Sequence, residues 1–182
     1  MNMNKTIIGF AGEIGCGKDT AVNYFKDKYG AVPIKFSALL RDVLNRLYLD
    51  VSRENLQKLS TILRDNFGQD LFSKVVAKDV ENSKEKIIVI DGVRRQTDLE
   101  NLKILPGFKL VYIKTDGKIR FDRIVKRGEN AGDQTKTFEQ FKLENQAEAE
   151  NQIRELKTHA NVVIDNNRAL EDLYEQLDKL IK

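Results

Sequence analysis

Nine consecutive residues near the start of the chain have the types and spacing needed to bind phosphate groups. They are Gly12, Glu13, Ile14, Gly15, Cys16, Gly17, Lys18, Asp19 and Thr20, and they follow a short apolar run. Glycines allow a turn tight enough for successive backbone N–H groups to face one anion, and the N-terminus of a following helix adds partial positive charge. Lys18 would reach the β- and γ-phosphates of a nucleotide. The spacing therefore predicts a P-loop that joins a strand to a helix.

The position after the lysine departs from the common pattern. A P-loop usually has Ser or Thr there, whose hydroxyl holds Mg²⁺, whereas this chain has Asp19 followed by Thr20. Both residues are candidate metal ligands, Asp19 through a water molecule. We interpret Cys16 as a small loop residue and not as a redox sensor. Its position still predicts that alkylation of the thiol would block nucleotide binding.

A second acidic position ends another apolar run. The run 87–90 leads directly into Asp91, which is the Walker B form. This form would place the carboxylate beside Mg²⁺ at the carboxyl end of a parallel sheet. The alternative is an aspartate that only caps a turn. Because a predicted P-loop lies upstream, we interpret Asp91 as a catalytic and metal-binding residue.

Several arginines lie where a second substrate would be held. Phosphoryl transfer depends on positioning and on positive charge at the migrating group, so transfer between two small molecules requires cations outside the P-loop. Arg94 and Arg95 follow Asp91, and Arg41 lies one turn into a helix predicted to begin at Ser37. These residues are predicted to bind the acceptor, with packing or capping as the alternative role of Ser37.

A further group of arginines precedes a polar, glycine-containing segment. Arg123 and Arg127 are four residues apart, so they share one helix face, and Arg120 is placed to join them. Surface arginines are commonly no more than solvated charges. The position beside the segment 128–137 instead favours a role at the edge of a lid.

The elements that must position these residues follow from hydrophobic patterning. Five short runs rich in β-branched residues do not alternate with polar residues, so we predict strands that are buried on both faces. The predicted strands are 6–10, 32–36, 87–90, 110–113 and 162–164. Amphipathic helical patterns lie between them. Alternating strands and helices predict right-handed crossovers and a three-layer α/β/α sandwich around a five-stranded parallel sheet.

Two stretches interrupt this alternation within what we predict to be a single domain, 1–182. Residues 37–80 hold more helix than one crossover needs and are predicted to bind the acceptor. Residues 123–150 are predicted to form a lid region, in which a capping box at Thr137 and Gln140 starts a helix. Lids and substrate-binding segments commonly depart from a scaffold in this way.

Composition excludes several classes of protein. The chain has 182 residues, a net charge of +3, one Cys and one His. A single Cys excludes an intrachain disulfide, and a single His excludes a metal site built from several histidines. The small net charge does not indicate a nucleic-acid partner. No run approaches the ~18 apolar residues of a membrane span, and the run 7–12 is too short for a signal-peptide core. We therefore predict a cytoplasmic protein without a membrane partner.

The motifs resemble those of nucleoside monophosphate kinases over nearly the whole chain. Gly12-x-x-Gly15-x-Gly17-Lys18-x-Thr20 is similar to the adenylate kinase P-loop, which also has no hydroxyl directly after its lysine. Asp91-Gly92-Val-Arg94-Arg95 resembles that family's Asp-Gly-Phe-Pro-Arg. The run 122–127 resembles its Asp-Arg-Ile-Val-Gly-Arg.

This resemblance implies roles for individual arginines. Arg95 would hold the phosphate of the acceptor, and Arg41 would match another arginine that does so. Arg123 would stack on the donor adenine, and Arg127 would face the phosphates at the base of the lid. ATP and Mg²⁺ are the implied cofactors.

Other segments are similar to phage deoxynucleoside monophosphate kinases. These segments are Gly17-Lys18-Asp19-Thr20, the stretch 63–71 and the stretch 162–173. By this likeness Arg64 is a substrate-binding candidate, and the loop 166–169, which includes Asn167, is an adenine-contact candidate. The lid lacks the Cys and His tetrads of zinc-bearing lids, so no structural metal is expected.

The function implied is ATP-dependent phosphorylation of a (deoxy)nucleoside monophosphate to the diphosphate, with small nucleotides as the partners. Three alternatives remain. A dephospho-coenzyme A kinase shares the layout, although its P-loop typically ends Gly-Lys-Ser. A nucleotide-binding regulatory protein of kinase ancestry would fit if Asp19 disturbs Mg²⁺ placement. A GTPase-type switch is disfavoured because no Asn-Lys-x-Asp signature precedes the last helix.

Overall fold

The computed structural model describes residues 5–128, 132–146 and 148–181. Within them, five parallel strands form one sheet in the order β2-β3-β1-β4-β5. The strands are β1 (Thr6–Ala11), β2 (Val32–Lys35), β3 (Ile87–Asp91), β4 (Phe108–Lys114) and β5 (Val162–Asp165). Each predicted strand is therefore present to within a few residues. Because β1 is central, the loop that follows it opens at the middle of the carboxyl edge of the sheet.

Helices cover both faces of the sheet. They are α1 (Lys18–Tyr29), α2 (Phe36–Arg46), α3 (Arg53–Phe67), α4 (Leu71–Asn82), α5 (Gly117–Arg127), α6 (Phe138–Glu144), α7 (Glu148–Glu155) and α8 (Leu170–Asp178). On one face α1 and α8 pack Phe25, Leu173 and Leu177 against the strands. On the other face α4 and α7 contribute Val76 and Ile153. The predicted three-layer α/β/α sandwich is confirmed.

The excursion predicted at 37–80 consists of α2, α3 and α4. The second strand is one residue shorter than predicted, because it ends at Lys35 and α2 begins at Phe36. Ser37 consequently lies in the first turn of α2 and does not start it. At this sheet edge β2 has only one neighbouring strand.

The predicted lid region contains α6, α7 and the end of α5, with a 3₁₀ turn at Asp133–Thr135. The capping box is confirmed: Thr137 Oγ1 accepts from the Gln140 N–H at 3.2 Å, and Gln140 Oε1 accepts from the Thr137 N–H at 2.8 Å. Residues 129–131 of the predicted lid and residue 147 lie outside the described residues.

None of the helices in the described part of the chain combines the length and hydropathy that a membrane span requires.

Candidate nucleotide-binding and phosphotransfer site

The loop 12–20 leaves β1 and enters α1 at Lys18, as a P-loop must. Gly12 has φ +147° and Gly17 has φ +104°, both in the region that favours glycine. A Cβ atom on Gly12 would lie 2.6 Å from Cys16 Sγ and from the carbonyl oxygen of Ile113, and one on Gly17 would collide with the amide of Asn166. The loop thus passes so close to the ends of β4 and β5 that only glycine fits at these two positions.

The ammonium group of Lys18 lies against the backbone of the loop. Its Nζ donates to the carbonyl oxygens of Gly12 and Glu13, at 2.6 Å and 3.2 Å. Both acceptors are neutral, so the positive charge of Lys18 has no carboxylate partner among its hydrogen-bond acceptors. An incoming phosphate oxygen would supply the compensating charge.

The P-loop and α5 together enclose a cavity of about 480 Å³. It is lined by Gly15, Gly17, Lys18, Asp19, Thr20, Arg123, Ile124 and Arg127. The structure therefore places Arg123 and Arg127 on one side of α5 at the P-loop cavity. This cavity is lined by both the glycine backbone and the cations that bind a nucleoside triphosphate.

A slightly larger cavity, of about 540 Å³, lies on the outer side of α1 and is lined by Tyr24 and Tyr174. These rings stack with their centroids 4.0 Å apart. It is more open than the P-loop cavity and has no glycine among its lining residues. We therefore assign the phosphate chemistry to the P-loop cavity.

Arg123 has an unsatisfied donor at the P-loop cavity. Its Nη2 donates to the carbonyl oxygen of Asn166 at 3.0 Å. Its Nη1 is buried and has no hydrogen-bond partner within the described residues. Buried polar atoms are nearly always paired, so an orphaned guanidinium nitrogen here is a donor available to a bound nucleotide.

Arg127 lies beside Asp19 at the same cavity. Its Nη1 is 3.8 Å from Asp19 Oδ2, and the side chain of Asp19 is 70% exposed. An exposed pair at this distance contributes little to stability. The pair can therefore open when a nucleotide or a metal ion binds.

Arg120 supports the P-loop and does not line the cavity. Its guanidinium is buried and donates to Glu13 Oε1 at 3.0 Å, to Asn145 Oδ1 at 2.9 Å and to the carbonyl oxygen of Ile14 at 3.2 Å. From α7, Arg154 Nε also donates to Glu13 Oε1, at 2.9 Å. Arg120 therefore does not join the other two arginines at the cavity, because its donors are taken up by Glu13 and Ile14 of the P-loop and by Thr115 and Asn145.

Two side chains from the loops after β4 and β5 donate hydrogen bonds to the backbone of the P-loop. Asn166 Nδ2 donates to the carbonyl oxygen of Cys16 at 2.8 Å, and Thr115 Oγ1 donates to the same oxygen at 3.1 Å. Asn167, the predicted adenine contact, accepts from the Asp116 N–H at 2.7 Å and so ties together the loops that follow β4 and β5. Its contact with adenine stays a prediction.

The thiol of Cys16 is buried, with 1% of the residue exposed. Burial raises the pKa of the thiol, and the nearby Lys18 ammonium lowers it by less. A buried thiol of raised pKa reacts slowly with alkylating reagents. That alkylation would block nucleotide binding stays a prediction, and the structure adds that this thiol is shielded.

Asp91 lies at the carboxyl edge of the sheet, beside the strand that leads into the P-loop. In the strand register it pairs with Phe10 of β1 on one side and with Lys35 of β2 on the other. Its Oδ2 is 3.6 Å from Lys35 Nζ, and the Lys35 side chain is 54% exposed. The carboxylate therefore has an exposed partner, which can move away when a metal ion binds.

The residues at this edge fit a magnesium ion that arrives with a nucleotide. Mg²⁺ is usually held by one or two carboxylates together with phosphate oxygens and water, not by a cage of protein ligands. Asp91, Asp19 and Thr20 would supply the required oxygen atoms. The described ranges contain no cluster of three or more His, Cys, Asp or Glu residues that could hold a metal alone.

The predicted acceptor-side residues follow the ends of β2 and β3, which are neighbouring strands of the sheet. Arg94 and Arg95 follow β3 with exposed side chains, and Arg41 is exposed on α2. Ser37 is half-buried in the first turn of α2. The outer end of this edge thus carries a group of cations that is separate from the P-loop cavity.

Arg64, also predicted to bind substrate, is engaged inside the protein. Its guanidinium is buried, its Nη2 donates to Asp98 Oδ1 at 2.7 Å, and its Nη1 donates to the carbonyl oxygen of Gln69. In this arrangement the donors Nη1 and Nη2 of Arg64, the predicted substrate-binding residue, are bound within the protein. Asp98 is a supporting residue that sequence reasoning missed, because it belongs to no motif and its cation partner lies 34 residues away. Asn166 was included only in the candidate adenine loop, and its support of the P-loop across 150 residues was not predicted.

Comparison with known proteins agrees with this geometry. A family model described as an AAA domain, AAA_18, matches residues 8–151. The chain belongs to this family. The match begins in β1 and includes the P-loop, Asp91 and both arginines of the cavity.

Curated relatives of the chain come from archaea. A UPF0200 protein of Thermococcus onnurineus is 26% identical, over 97% of this chain and 96% of the relative. A UPF0200/UPF0201 protein of Archaeoglobus fulgidus is 26% identical over the whole chain, which spans 56% of the length of that relative.

Solved structures share the fold of this AAA_18 chain. A shikimate kinase from Bacteroides thetaiotaomicron superposes with a TM-score of 0.62 at 16% identity, over 97% of this chain and 98% of the kinase. A gluconokinase from Sinorhizobium meliloti superposes with a TM-score of 0.56 at 14% identity, over 100% of this chain and 93% of the gluconokinase. The fold is that of the P-loop kinases.

Proposed function

We propose that the protein transfers the γ-phosphoryl group of ATP to the phosphate of a nucleoside or deoxynucleoside monophosphate. The observation that carries this proposal is the P-loop cavity, which both Lys18 and Arg123 line and at which Arg123 has a donor without a hydrogen-bond partner among the described residues. A second group of cations lies at the ends of β2 and β3, where an anionic acceptor would bind. Two cationic regions on one sheet edge suit two phosphorylated substrates.

On the donor side, the backbone of the P-loop and Lys18 bind the β- and γ-phosphates. Arg123 stacks on the adenine or donates to the nucleotide through Nη1, and Arg127 lies nearer the phosphates. Asp91, Asp19 and Thr20 would hold Mg²⁺, which supplies positive charge to the β- and γ-oxygens when it is bound. Asn167 is the proposed contact of the adenine edge.

On the acceptor side, Arg95 binds the phosphate of the monophosphate, supported by Arg94, Arg41 and Ser37. An oxygen of that phosphate forms a bond to the γ-phosphorus while the bond from that phosphorus to the bridging oxygen breaks, and ADP leaves. The acceptor phosphate is already anionic, so no protein base has to remove a proton. Lys18, Arg95 and Arg127 stabilise the charge that develops on the equatorial oxygens.

A second candidate is transfer to another small anionic molecule. The fold neighbours named as shikimate kinase and gluconokinase favour this alternative, and a dephospho-coenzyme A kinase belongs to the same class. Such acceptors would use the same P-loop and the same cations. A regulatory protein that binds nucleotide without turnover would instead retain the Asp19–Arg127 pair.

The test is an ADP-release assay with purified protein, ATP and Mg²⁺. The acceptors are the ribo- and deoxynucleoside monophosphates, shikimate, gluconate and dephospho-coenzyme A, and the Lys18→Ala variant controls for contaminating kinases. We expect ADP to form with one or a few monophosphates. Turnover only with a hydroxyl acceptor would replace the proposal by the second candidate, and ATP binding without turnover would favour the regulatory role.

A further inference from the structure

One buried carboxylate organises the turn that carries the acceptor-side arginines. Asp98 lies in a 3₁₀ turn at Gln96–Leu99 and is 2% exposed. Its Oδ2 accepts from the backbone N–H groups of Arg94 and Arg95, at 3.0 Å and 3.1 Å. Two successive amides bound to one oxygen fix the course of the backbone at the point where both arginine side chains leave it.

The other oxygen of the same carboxylate is bound by a cation from a distant helix. Arg64 of α3 donates to Asp98 Oδ1 at 2.7 Å, and both side chains are almost fully buried, at 7% and 3% exposure. The guanidinium of Arg64 also lies 4.5 Å from the centroid of the Phe72 ring. Burying a carboxylate is costly unless a cation and hydrogen bonds compensate it, and Asp98 has both.

The pair therefore links three parts of the acceptor region. It connects α3, the arginine turn after β3 and, through the Gln69 carbonyl and the Phe72 ring, the start of α4. Arg94 and Arg95 are exposed, and an exposed arginine on an unsupported loop would lose much rotational freedom on binding an anion. Holding their backbone in advance reduces that loss.

We propose that Asp98, held by Arg64, is a positioning residue that sets Arg94 and Arg95 for an acceptor phosphate. This inference rests on the proposed function. It assigns no contact with substrate to Asp98 or Arg64, so Arg64 acts through the turn and not as a ligand. It also predicts that the effect of Asp98 on the acceptor requires the arginine side chains to be present.

The experiment compares Asp98→Asn in two backgrounds, wild type and Arg94→Ala/Arg95→Ala. Asparagine keeps the size but loses the charge that Arg64 needs, and its amide nitrogen cannot accept from a backbone N–H. We expect the acceptor KM to rise about tenfold or more in the wild-type background, with the ATP KM unchanged. In the double-alanine background the same change has little effect on the acceptor KM, because there is no side chain left to position.

Asp172→Asn is the matched control, because Asp172 Oδ2 accepts from the Ala169 N–H at 3.1 Å at the start of α8, away from the acceptor edge. We expect it to leave the acceptor KM unchanged. Hydrogen exchange gives a readout independent of turnover: the amides of Arg94 and Arg95 should exchange faster in Asp98→Asn and not in Asp172→Asn. Arg64→Lys keeps the positive charge but loses the planar guanidinium with its several donors. It should raise the acceptor KM and the exchange rates in the same way but less strongly, and it replaces Asp98→Asn in the experiment if that variant does not fold.

The outcomes separate this inference from the proposed function. Turnover of a monophosphate together with an unchanged acceptor KM in Asp98→Asn overturns only the positioning role. An equal rise in both KM values, or an equal effect in the two backgrounds, also overturns it, because a general structural defect behaves in that way. A wild-type protein that neither phosphorylates nor binds any monophosphate overturns both.

Discussion

The guanidinium of Arg120 donates to the carboxylate of Glu13 at 3.0 Å, across 107 residues of chain. Through this contact α5 holds the second residue of the P-loop, and Arg154 of α7 holds the same oxygen at 2.9 Å. The loop that would bind phosphate is therefore supported by two helices of the predicted lid region. Any movement of those helices would therefore be transmitted to the P-loop through Glu13.

Replacing Glu13 by Ala should destabilise the protein. The change leaves the buried guanidinium of Arg120 without its carboxylate, and removing one partner of a buried ion pair typically costs about 3–5 kcal/mol. We expect the lower end of that range for the free energy of unfolding measured in urea, because Arg120 keeps its other acceptors. Glu139→Ala, which breaks an exposed pair with Lys142, is the control. Equal stabilities of the two variants would contradict the buried character of the Glu13 contact.

Replacing Lys18 by Ala should lower kcat by about three orders of magnitude, because it removes a cation that stabilises the transferring phosphoryl group. Steady-state kinetics with saturating ATP and acceptor measure the change. Lys26→Ala, on an exposed position of the same helix, serves as the comparison and should keep full activity. A Lys18→Ala enzyme within tenfold of wild type would remove the ammonium group from the proposed mechanism.

Replacing Arg95 by Ala should raise the acceptor KM far more than the ATP KM. Each hydrogen bond between charged groups contributes about 1.5–3 kcal/mol, so a rise of about tenfold to a hundredfold is expected. Initial rates over a grid of both substrate concentrations separate the two constants. Arg53→Ala, an exposed change at the start of α3, is the control. If both constants rise equally, Arg95 does not belong to the acceptor side.

Replacing Arg123 by Ala should chiefly weaken ATP binding. Loss of stacking on the base is worth about 0.5–2 kcal/mol, and the orphaned Nη1 donor is lost at the same time. Isothermal titration with a non-hydrolysable ATP analogue measures the affinity directly. Lys126→Ala, exposed on the same helix, should bind like wild type. Unchanged affinity in Arg123→Ala would place the nucleotide elsewhere.

Alkylation of Cys16 should be slow and should depend steeply on pH. Burial raises the pKa of the thiol, so at pH 8 less thiolate is present than in a free cysteine, and the rate should increase as the pH approaches the raised pKa. The sign for stability follows: as pH rises above the ordinary thiol pKa, the unfolded state ionises first and stability falls. Iodoacetamide labelling followed by mass spectrometry, with a free cysteine peptide as reference, measures the rate. Labelling as fast as the peptide at pH 8 would show that the thiol is accessible.

Much of the fold was predictable because it depends on short-range patterns. Runs of β-branched residues located all five strands to within a few residues, and the glycine spacing located the P-loop between β1 and α1. The capping box at Thr137 was also correct, because a capping box involves side chains only three residues apart. Such signals need no knowledge of tertiary contacts.

The errors concern side chains whose partners are distant in sequence. Arg64 and Arg120 are indistinguishable from exposed arginines in the sequence, since their carboxylate partners lie 34 and 107 residues away. The burial of Cys16 depends likewise on the packing of its loop against β4 and β5. Predictions of this kind require the fold to be known first.

The side-chain amide of Asn166, directly after β5, donates a hydrogen bond to the carbonyl oxygen of Cys16. Asn166 lies beyond residue 151, where the match to the family model ends. A fragment that contains only the matched residues would keep the P-loop and Asp91 but would lose β5, Asn166 and α8. Such a fragment would keep the Thr115 hydrogen bond to the Cys16 carbonyl but lose the one from Asn166, and α1 would lose its neighbour α8. Fragments prepared for nucleotide-binding studies should therefore extend through α8.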